Sequence, residues 1–490
     1  MPTMLELEIA AQLGRLDEEL DRRVAEHERL VPYAKRTKVR PIPAAITAAK
    51  LTRSYLHLMS LSEMPWGKLV VASKLDRLEV NGVTSPEQSV SDAVWELVWQ
   101  GNAMDLESKL GHRAALLDGR AHATVWPRSD WMLDGAVARG SADGPRVQLD
   151  DAATVVVEYA EGSRRDRVGA LRRWQDERDK TLATLYRRDG IYKFRRSTRQ
   201  IVDVDTFQAG TGLWERREVE GEPWPLPNPL RVVPVVEIAV NRELAPGCFT
   251  VCTGEFANET GLMDRINMLT FLGLAVAISM SFPLRVLIGE PILRNDEGKA
   301  IPPFDAYIGG VAQFENPDAK LAEYKAADRS QLSIYNELAE LASATSTPRH
   351  YFPVSGAIAN VSAETIRAFE GPLHAAVNGS HKPSLGEGWE EVLRLGGRML
   401  PDPVELSPRA ALAWADHESR SLAERADAFS KLAASGLPWQ ASAEIALSLG
   451  QDPIRRYEAE QAGSALAQLI TTARQPQEIP VAAVATNGNG

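Results

Sequence analysis

The side chains with the widest chemical range, the cysteines and histidines, are few in this sequence. Cys248 and Cys252 have three residues between them in a strand-like run, and no further thiol or imidazole follows at the spacing of a zinc site. The eight histidines are scattered along the chain. We interpret the cysteines as core thiols of a protein in a reducing compartment, and we predict no metal site.

The motifs of the common enzyme classes are missing from the sequence. It contains no G-x-x-x-x-G-K-[ST] phosphate loop, no G-x-G-x-x-G, no H-E-x-x-H and no G-x-S-x-G. Asp150 and Asp151 are adjacent, so on a strand they would face opposite sides. The pair His350-Tyr351 has no third partner that the sequence identifies. We therefore predict no catalytic residue and no cofactor, and we keep an enzyme with an unrecognised site as an alternative.

The charge balance is acidic, with 55 basic and 66 acidic residues and a formal net charge of −11. A protein that grips nucleic acid through its phosphates needs a basic surface, so this balance argues against that task. It does not exclude DNA that slides past an acidic wall. The arginine-rich region 164–199 is the exception, and it indicates either an anionic partner or the solvated face of a sheet. No pattern of interleaved aromatic or glycine residues marks a nucleic-acid module here, which favours the sheet face.

The elements that position these residues alternate between helical and strand-like patterns, which predicts an α+β fold of two to four structural units. Between 113 and 240 the pattern is strand-rich and includes a hairpin that turns at Asp189-Gly190. Ser362 is the predicted N-cap of a helix that breaks at 378–386. The other predicted helices cover 3–30, 45–59, 86–110, 258–282, 328–344 and a helical tail that begins past Pro401 and Pro403, and 475–490 is predicted to be disordered.

One uncharged segment, 269–282, raises the question of a membrane. A spanning helix needs about 20 apolar residues, whereas a run of about 10–14 is more typical of a buried helix. Ser279 and Ser281 further weaken the membrane interpretation, and a membrane-associated assembly protein remains an alternative. The amino terminus lacks a signal-peptide pattern, so we expect a cytosolic product.

A long loop between two predicted helices lies within 345–375. Its first part carries two prolines, a glycine and several apolar side chains. Long loops in compact domains are typically functional or mobile, and apolar side chains in such a loop indicate a contact outside the flanking helices. The candidate site residues of this loop are Tyr351, Phe352, Pro353, Val354, Ser355, Gly356 and Asn360.

Three motifs occur in a fixed order along the chain. They are WQGNAMD at 99–105, VVPVVE at 232–237, and TPRHYF at 347–352 followed by NVSAE at 360–364. In their order and spacing they resemble W-x-x-N-x-M/L-D, the strand before the stem, and T-P-x-x-Y/F … N-x-S-x-E of the portal proteins of tailed bacteriophages. The likeness is to the siphophage-type branch from Gram-positive and actinobacterial hosts, and it spans about residues 40–460.

This resemblance implies an α+β portal fold with wing, helical stem, small β-rich clip and α-helical crown, assembled as a ring. The implied segments are wing 1–255, stem helices 256–283 and 328–346, clip 284–327, tunnel loop 347–361, bracing helix 362–404, crown 405–474 and tail 475–490.

The resemblance also implies a structural role and not an enzymatic one. Twelve subunits would form a channel at one capsid vertex of the virion, assembled in the host bacterial cytoplasm, through which double-stranded DNA is packaged and later ejected. The implied partners are the terminase large subunit, the head–tail adaptor, the major capsid protein and a scaffolding protein, with no membrane.

Overall fold

A computed structural model shows the fold. It describes residues 4–35, 53–127, 144–196, 207–209, 212–228, 230–245, 249–281, 284–288, 318, 320–324, 330–352, 362–415, 422–447, 454, 457–458 and 460–461. The chain forms two compact units. Unit 1 comprises 1–24, 74–253 and 377–490, and unit 2 comprises 25–73 and 254–376. The resemblance assigns 25–73 to the wing, whereas its contacts group it with the segment that carries the implied stem helices.

Helices and strands alternate along the described chain. In order, the α-helices are α1 (Met4–Ala34), α2 (Arg53–Ser62), α3 (Trp66–Leu75), α4 (Gln88–Val94), α5 (Met104–Asp118), α6 (Thr260–Ser281), α7 (Ser330–Ala344), α8 (Ala363–Ala376), α9 (Lys382–Gly397), α10 (Leu422–Ala434) and α11 (Trp439–Leu447). The strands are β1 (Val80–Thr84), β2 (Arg120–Trp126), β3 (Arg146–Asp151), β4 (Val155–Tyr159), β5 (Arg167–Gln175), β6 (Thr181–Arg187), β7 (Gly190–Arg196), β8 (Phe207–Ala209), β9 (Gly212–Arg216), β10 (Leu226–Pro227), β11 (Val235–Ala239), β12 (Arg242–Ala245), β13 (Phe249–Cys252), β14 (Leu284–Ile288), β15 (Lys320–Tyr324) and β16 (Ala411–Trp414).

Unit 1 is built on antiparallel sheets. The largest has the order β4-β5-β6-β7-β9-β8, with β10 paired to β7, and a second sheet has the order β11-β2-β3. The apolar stripe of α1, at Ile9, Leu13, Leu16 and Leu20, joins a core that includes Trp214 of the large sheet. The predicted amphipathic helix is therefore confirmed, because its 3- and 4-residue spacing places these side chains on one face.

Close packing of α9 against β11 explains the glycines of that helix. A Cβ at Gly388 would lie 3.1 Å from the carbonyl oxygen of Glu237, and one at Gly396 would lie 2.6 Å from a methyl carbon of Val98. Gly388 therefore serves the packing of this helix, whereas a Cβ at Gly386, the other glycine of the G-x-G pattern, would meet only an ordinary contact, 3.8 Å from Nε1 of Trp414.

The 99–105 motif forms a joint between two helical segments of unit 1. A π-helical turn, Trp95–Trp99, and a 3-10 turn, Gln100–Asn102, lead to Ala103, whose φ of 53° is left-handed. The indole of Trp99 donates to Asp105 Oδ1 at 2.9 Å across this joint. Asn102 Nδ2 donates to the carbonyls of Val98 and Pro145, and its Oδ1 accepts from the amide of Val147. The single predicted helix over 86–110 is therefore wrong, because side-chain hydrogen bonds hold a break at Ala103.

Unit 2 is mainly helical. Helix α6 packs against α7 and α2, and the strands β14 and β15 pair antiparallel from Leu284↔Tyr324 to Ile288↔Lys320. The chain order is thus helix, β-strand, β-strand, helix, as predicted for 258–344. The predicted strand near 306–314 lies outside the described residues.

Three further predictions about elements need correction. The 185–194 hairpin exists, but its bend is at Arg188 and Asp189, and Gly190 already pairs as the first residue of β7. The expected break at 378–386 is instead a π-helical turn, Val377–His381, followed directly by α9. The helical tail begins later than predicted, because 411–414 forms β16 and pairs with β1. Helix α10 ends at Ala434, two residues before Gly436, whose φ of +91° is left-handed.

Candidate functional site

The candidate loop leaves α7 through a defined helix end in unit 2. Ser346 is left-handed, with a φ of 50°. The amide of Thr347 donates to the carbonyl of Ala342 at 2.9 Å, and the amide of Ser346 donates to that of Ser343 at 3.3 Å. These two bonds form a Schellman motif, which satisfies the last carbonyls of the helix, and Pro348 then prevents its continuation. The T-P part of the 347–352 motif therefore encodes a helix stop.

The next residues form a 3-10 turn, Arg349–Tyr351, that ends in the core of unit 2. Phe352 is 3% exposed, and its ring lies 5.9 Å from that of Trp66, centroid to centroid. This candidate site residue therefore packs inside its own subunit, and its side chain anchors the start of the loop.

A carboxylate from the helix after the loop joins the residues before it. Glu370 of α8, 8% exposed, accepts a hydrogen bond from the hydroxyl of Tyr351 at 3.3 Å. Two imidazoles flank the same carboxylate, with Nε2 of His350 at 3.7 Å from Oε1 and Nε2 of His374 at 3.5 Å from Oε2. The cluster brings together residues from both sides of 353–361.

The far end of the loop is the predicted helix cap. The amide of Thr365 donates to Oγ of Ser362 at 3.2 Å, and the amide of Ile366 donates to the carbonyl of Ser362. Ser362 is therefore the N-cap of α8, and this prediction is confirmed.

The remaining candidate site residues lie outside the described residues. They are Pro353, Val354, Ser355, Gly356 and Asn360. The sequence interpretation missed Glu370, His374 and Trp66. Glu370 and His374 carried a usable signal, because a spacing of four residues puts both on one helical face; Trp66 carried none, since its contact is distant in sequence.

The described residues offer this site little chemistry beyond hydrogen bonding and charge. Within those ranges, no group of three or more His, Cys, Asp or Glu side chains is arranged to hold a metal ion. Cys252 is a buried free thiol whose pKa is raised by burial, and Cys248 falls outside the described part of the chain. The described residues of this site therefore form the anchored ends of a loop.

Arginines of the arginine-rich region 164–199 form ion pairs with carboxylates of unit 1. Eight of its arginines form ion pairs, which decides between the two interpretations of that region in favour of a structural role. The pairs are Arg165–Glu387, Arg167–Glu391, Arg172–Asp150, Arg173–Asp17, Arg187–Glu8, Arg188–Asp166, Arg195–Glu215 and Arg196–Asp17.

Glu237, the last residue of the 232–237 motif, is a buried carboxylate of unit 1. Its Oε2 lies 3.0 Å from Arg120 Nη1 and 3.9 Å from His122 Nε2. Burial opposes its ionisation, but the positive charges of Arg120 and its neighbours outweigh burial and lower the pKa of Glu237 to about 2. Burial, with the nearby charge of Arg23, lowers the pKa of His122 to about 3. The motif thus supplies an internal ion pair.

Helix α6 contains the uncharged segment. By length and composition Thr260–Ile278 could cross a membrane, with a mean hydropathy of 1.4, a test that core helices of soluble proteins also pass. Its polar residues have partners inside unit 2: Asp264 accepts from the Tyr33 hydroxyl, and Arg265 pairs with Glu337. These pairs tie one face of α6 to neighbouring protein.

Comparison with known proteins gives relatives over most of the chain. The portal protein of Mycobacterium phage L5 is 26% identical over 441 residues, which cover 86% of this chain and 83% of the relative. The portal protein of Mycobacterium phage D29 is 28% identical over 447 residues, which cover 86% and 84%. No protein-family model matches the chain.

Solved structures add only a weak likeness. A chain of the virion of a native gene transfer agent particle has a TM-score of 0.41 at 12% identity, covering 87% of this chain and 99% of that one. A chain from the neck of an empty particle has a TM-score of 0.42 at 13% identity, covering 84% and 96%. The relationship to the two mycobacteriophage proteins confirms the resemblance of this chain to the portal proteins of tailed bacteriophages.

Proposed function

We propose that this chain is the structural subunit of a phage portal, a ring at one capsid vertex through which double-stranded DNA enters and leaves the head. The observation that carries the proposal is the relationship to two portal proteins over 86% of the chain. The role is mechanical, with a terminase large subunit and later a head–tail adaptor docking on the ring. The capsid protein and a scaffolding protein are further proposed partners.

The proposal assigns roles to segments of the chain. Helices α6 and α7 are the stem, the segment between them that includes β14 and β15 is the clip, and 347–361 is the tunnel loop. The crown is the helical region that includes α10 and α11, and the wing holds the sheets of unit 1. The order helix, paired strands, helix, anchored loop supports this assignment, because it follows the order stem, clip, stem and tunnel loop that the resemblance implies.

Exposed apolar surface on α6 supports assembly. Only 28% of the apolar window Thr260–Ile278 is buried within the subunit, and Leu272 and Ile278 are 46% and 43% exposed. A closed head-to-tail ring covers such surfaces with neighbouring subunits. Burial against protein is the alternative to burial in lipid, and the phage relatives favour protein.

The ring is tested by native mass spectrometry and negative-stain imaging of the purified protein. A species of twelve times the 53.7 kDa subunit mass, with a central channel, is expected. A monomer or dimer at all concentrations would overturn the ring. Flotation with liposomes that is lost when lysine replaces Ala275 would point to the membrane alternative, and metal-dependent DNA cleavage to an enzyme.

The loop is tested by deleting residues 355–359. Rings should form as in the unaltered protein, while the amount of packaged DNA falls. Deletion of five residues within the predicted tail, 478–482, is the control of equal length and should leave packaging unchanged. Normal packaging by the loop deletion would overturn the tunnel-loop assignment without touching the ring.

A further inference from the structure

A groove of about 420 Å³ lies within unit 2. The carboxyl-terminal part of α1, helix α2 and helix α6 form its walls. Its apolar lining includes Met59, Met268 and Phe271. The volume is within the range of sites that bind small molecules or anchoring side chains, and methionine-lined surfaces adapt to varied apolar partners.

Asn267, a buried residue of the lining, has a fixed orientation and an unused donor. Its Oδ1 accepts from the amide of Met64 and from the indole of Trp66, both at 3.2 Å. Both partners are donors, so the amide group cannot be flipped without losing two hydrogen bonds. Its Nδ2 has no acceptor within the described residues, although only 7% of the residue is exposed. The Nδ2 atom itself is closed off from solvent, so Asn267 shapes the wall of the groove and offers no donor to a ligand.

The charged residues at the groove are mainly acidic. Glu28, Glu63 and Asp264 line it together with one cation, Arg29. The guanidinium of Arg29 is already held by the carboxylate of Glu26, at 2.5 Å. Among the described residues the lining therefore offers an apolar floor and an excess of negative charge, which complements a cationic partner.

We propose that this groove binds a peptide segment of another protein in which a large apolar side chain stands beside arginine or lysine. The apolar side chain lies over Met59, Met268 and Phe271. The basic side chain lies beside Glu28 or Asp264. The proposal concerns unit 2 alone and holds whether or not the subunits form a ring.

The test uses the full-length protein and three labelled seven-residue peptides. The first has one phenylalanine between two arginines, the second has glutamates in place of the arginines, and the third has serine in place of the phenylalanine. Fluorescence anisotropy should show binding of the first peptide about tenfold tighter than that of either other peptide. Met268→Lys places a cation in the groove and should lose this preference, whereas Leu272→Lys, on the same helix but outside the groove, should keep it.

A second measurement locates the peptide and does not depend on any variant folding. With methionine methyl groups labelled for NMR, the first peptide should shift the resonances of Met59 and Met268 and leave the buried Met104 of unit 1 unchanged. Absence of binding, equal binding of the glutamate peptide, or shifts at other methionines only would overturn the proposal. A change of subunit assembly in Met268→Lys, without peptide binding to the unaltered protein, would show instead that a second copy of this chain covers the groove.

Discussion

The hydroxyl of Tyr351 donates a hydrogen bond to Oε1 of Glu370 at 3.3 Å, and this bond joins the turn before residues 353–361 to the helix after them. Phe352 buries its ring against Trp66 on one side, and Ser362 caps α8 on the other. The residue before the loop is therefore held in the core of unit 2, and the residue after it caps α8 at an exposed position.

The Tyr351–Glu370 bond should contribute measurably to stability. Tyr351→Phe is expected to lower the free energy of unfolding in urea by about 1 kcal/mol, the usual net value of one hydrogen bond. In combination with Glu370→Ala the loss should be smaller than the sum of the single losses, because both changes remove the same bond. Tyr335→Phe on α7 is the control and should cost less, since its hydroxyl has no partner in the described part of unit 2. Strict additivity would show that the bond contributes nothing.

Acidification should destabilise unit 1 through three buried groups. Burial lowers the pKa of His112 to about 4, and those of His122 and Glu237 are lowered to about 3 and about 2. Each folded value lies below that of the free group, 6.5 for histidine and 4.5 for glutamate. The unfolded chain then binds more protons as the pH falls, so stability present above pH 6.5 is lost progressively toward pH 3.

The slope of the free energy of unfolding against pH measures this effect. Each histidine should contribute up to about 1.4 kcal/mol per pH unit in the range between its unfolded and folded values. His122→Gln should remove one such contribution between pH 6 and pH 4, whatever its effect on stability at pH 7. His57→Gln, at an exposed position, is the matched control and should leave the slope unchanged. A slope unaltered by His122→Gln would contradict the assignment of a neutral buried imidazole.

One alanine-to-glycine change should stabilise the protein, although glycine usually weakens helices. Ala103 has a φ of 53°, and a left-handed alanine costs about 1–2 kcal/mol relative to glycine. Ala103→Gly should therefore raise the free energy of unfolding by about 1 kcal/mol. Ala114→Gly, within α5, should lower it by a similar amount. Urea unfolding should therefore give changes of opposite sign in the free energy of unfolding for the two variants. A lower free energy of unfolding for both variants would exclude a left-handed Ala103.

Substitutions of two aspartates of α1 should lower the free energy of unfolding by amounts that differ by several kcal/mol. Asp17 is fully buried and binds Arg173, Arg196 and the indole of Trp214. Asp17→Asn leaves two guanidinium groups without their shared carboxylate and should cost about 3–5 kcal/mol. Asp21, with its side chain 39% exposed, also pairs with Arg173, but Asp21→Asn should cost about 0–1 kcal/mol. Urea unfolding checks both changes, and equal costs would mean that burial does not govern these pairs.

Local patterns in the sequence were sufficient to predict an element wherever one helix face or one helix cap determines it. The apolar face of α1 can be predicted from the sequence because Ile9, Leu13 and Leu16 recur at the helical period. The N-cap at Ser362 can be predicted because a serine before an acidic first turn accepts hydrogen bonds from the free amides of that turn. The order of the motifs also identified the portal resemblance. These features depend on neighbours in sequence, which the chain itself specifies.

Tertiary structure alone decided which distant residues meet. The bend at Ala103 depends on Asn102 binding Pro145 and Val147, and the loop anchor depends on Trp66 and Glu370 reaching Phe352 and Tyr351. The structural role of the arginines in 164–199 follows only from their ion pairs with carboxylates that are distant in sequence. Composition and periodicity cannot supply such pairings, because they follow from the path of the whole backbone and not from the spacing of residues along it.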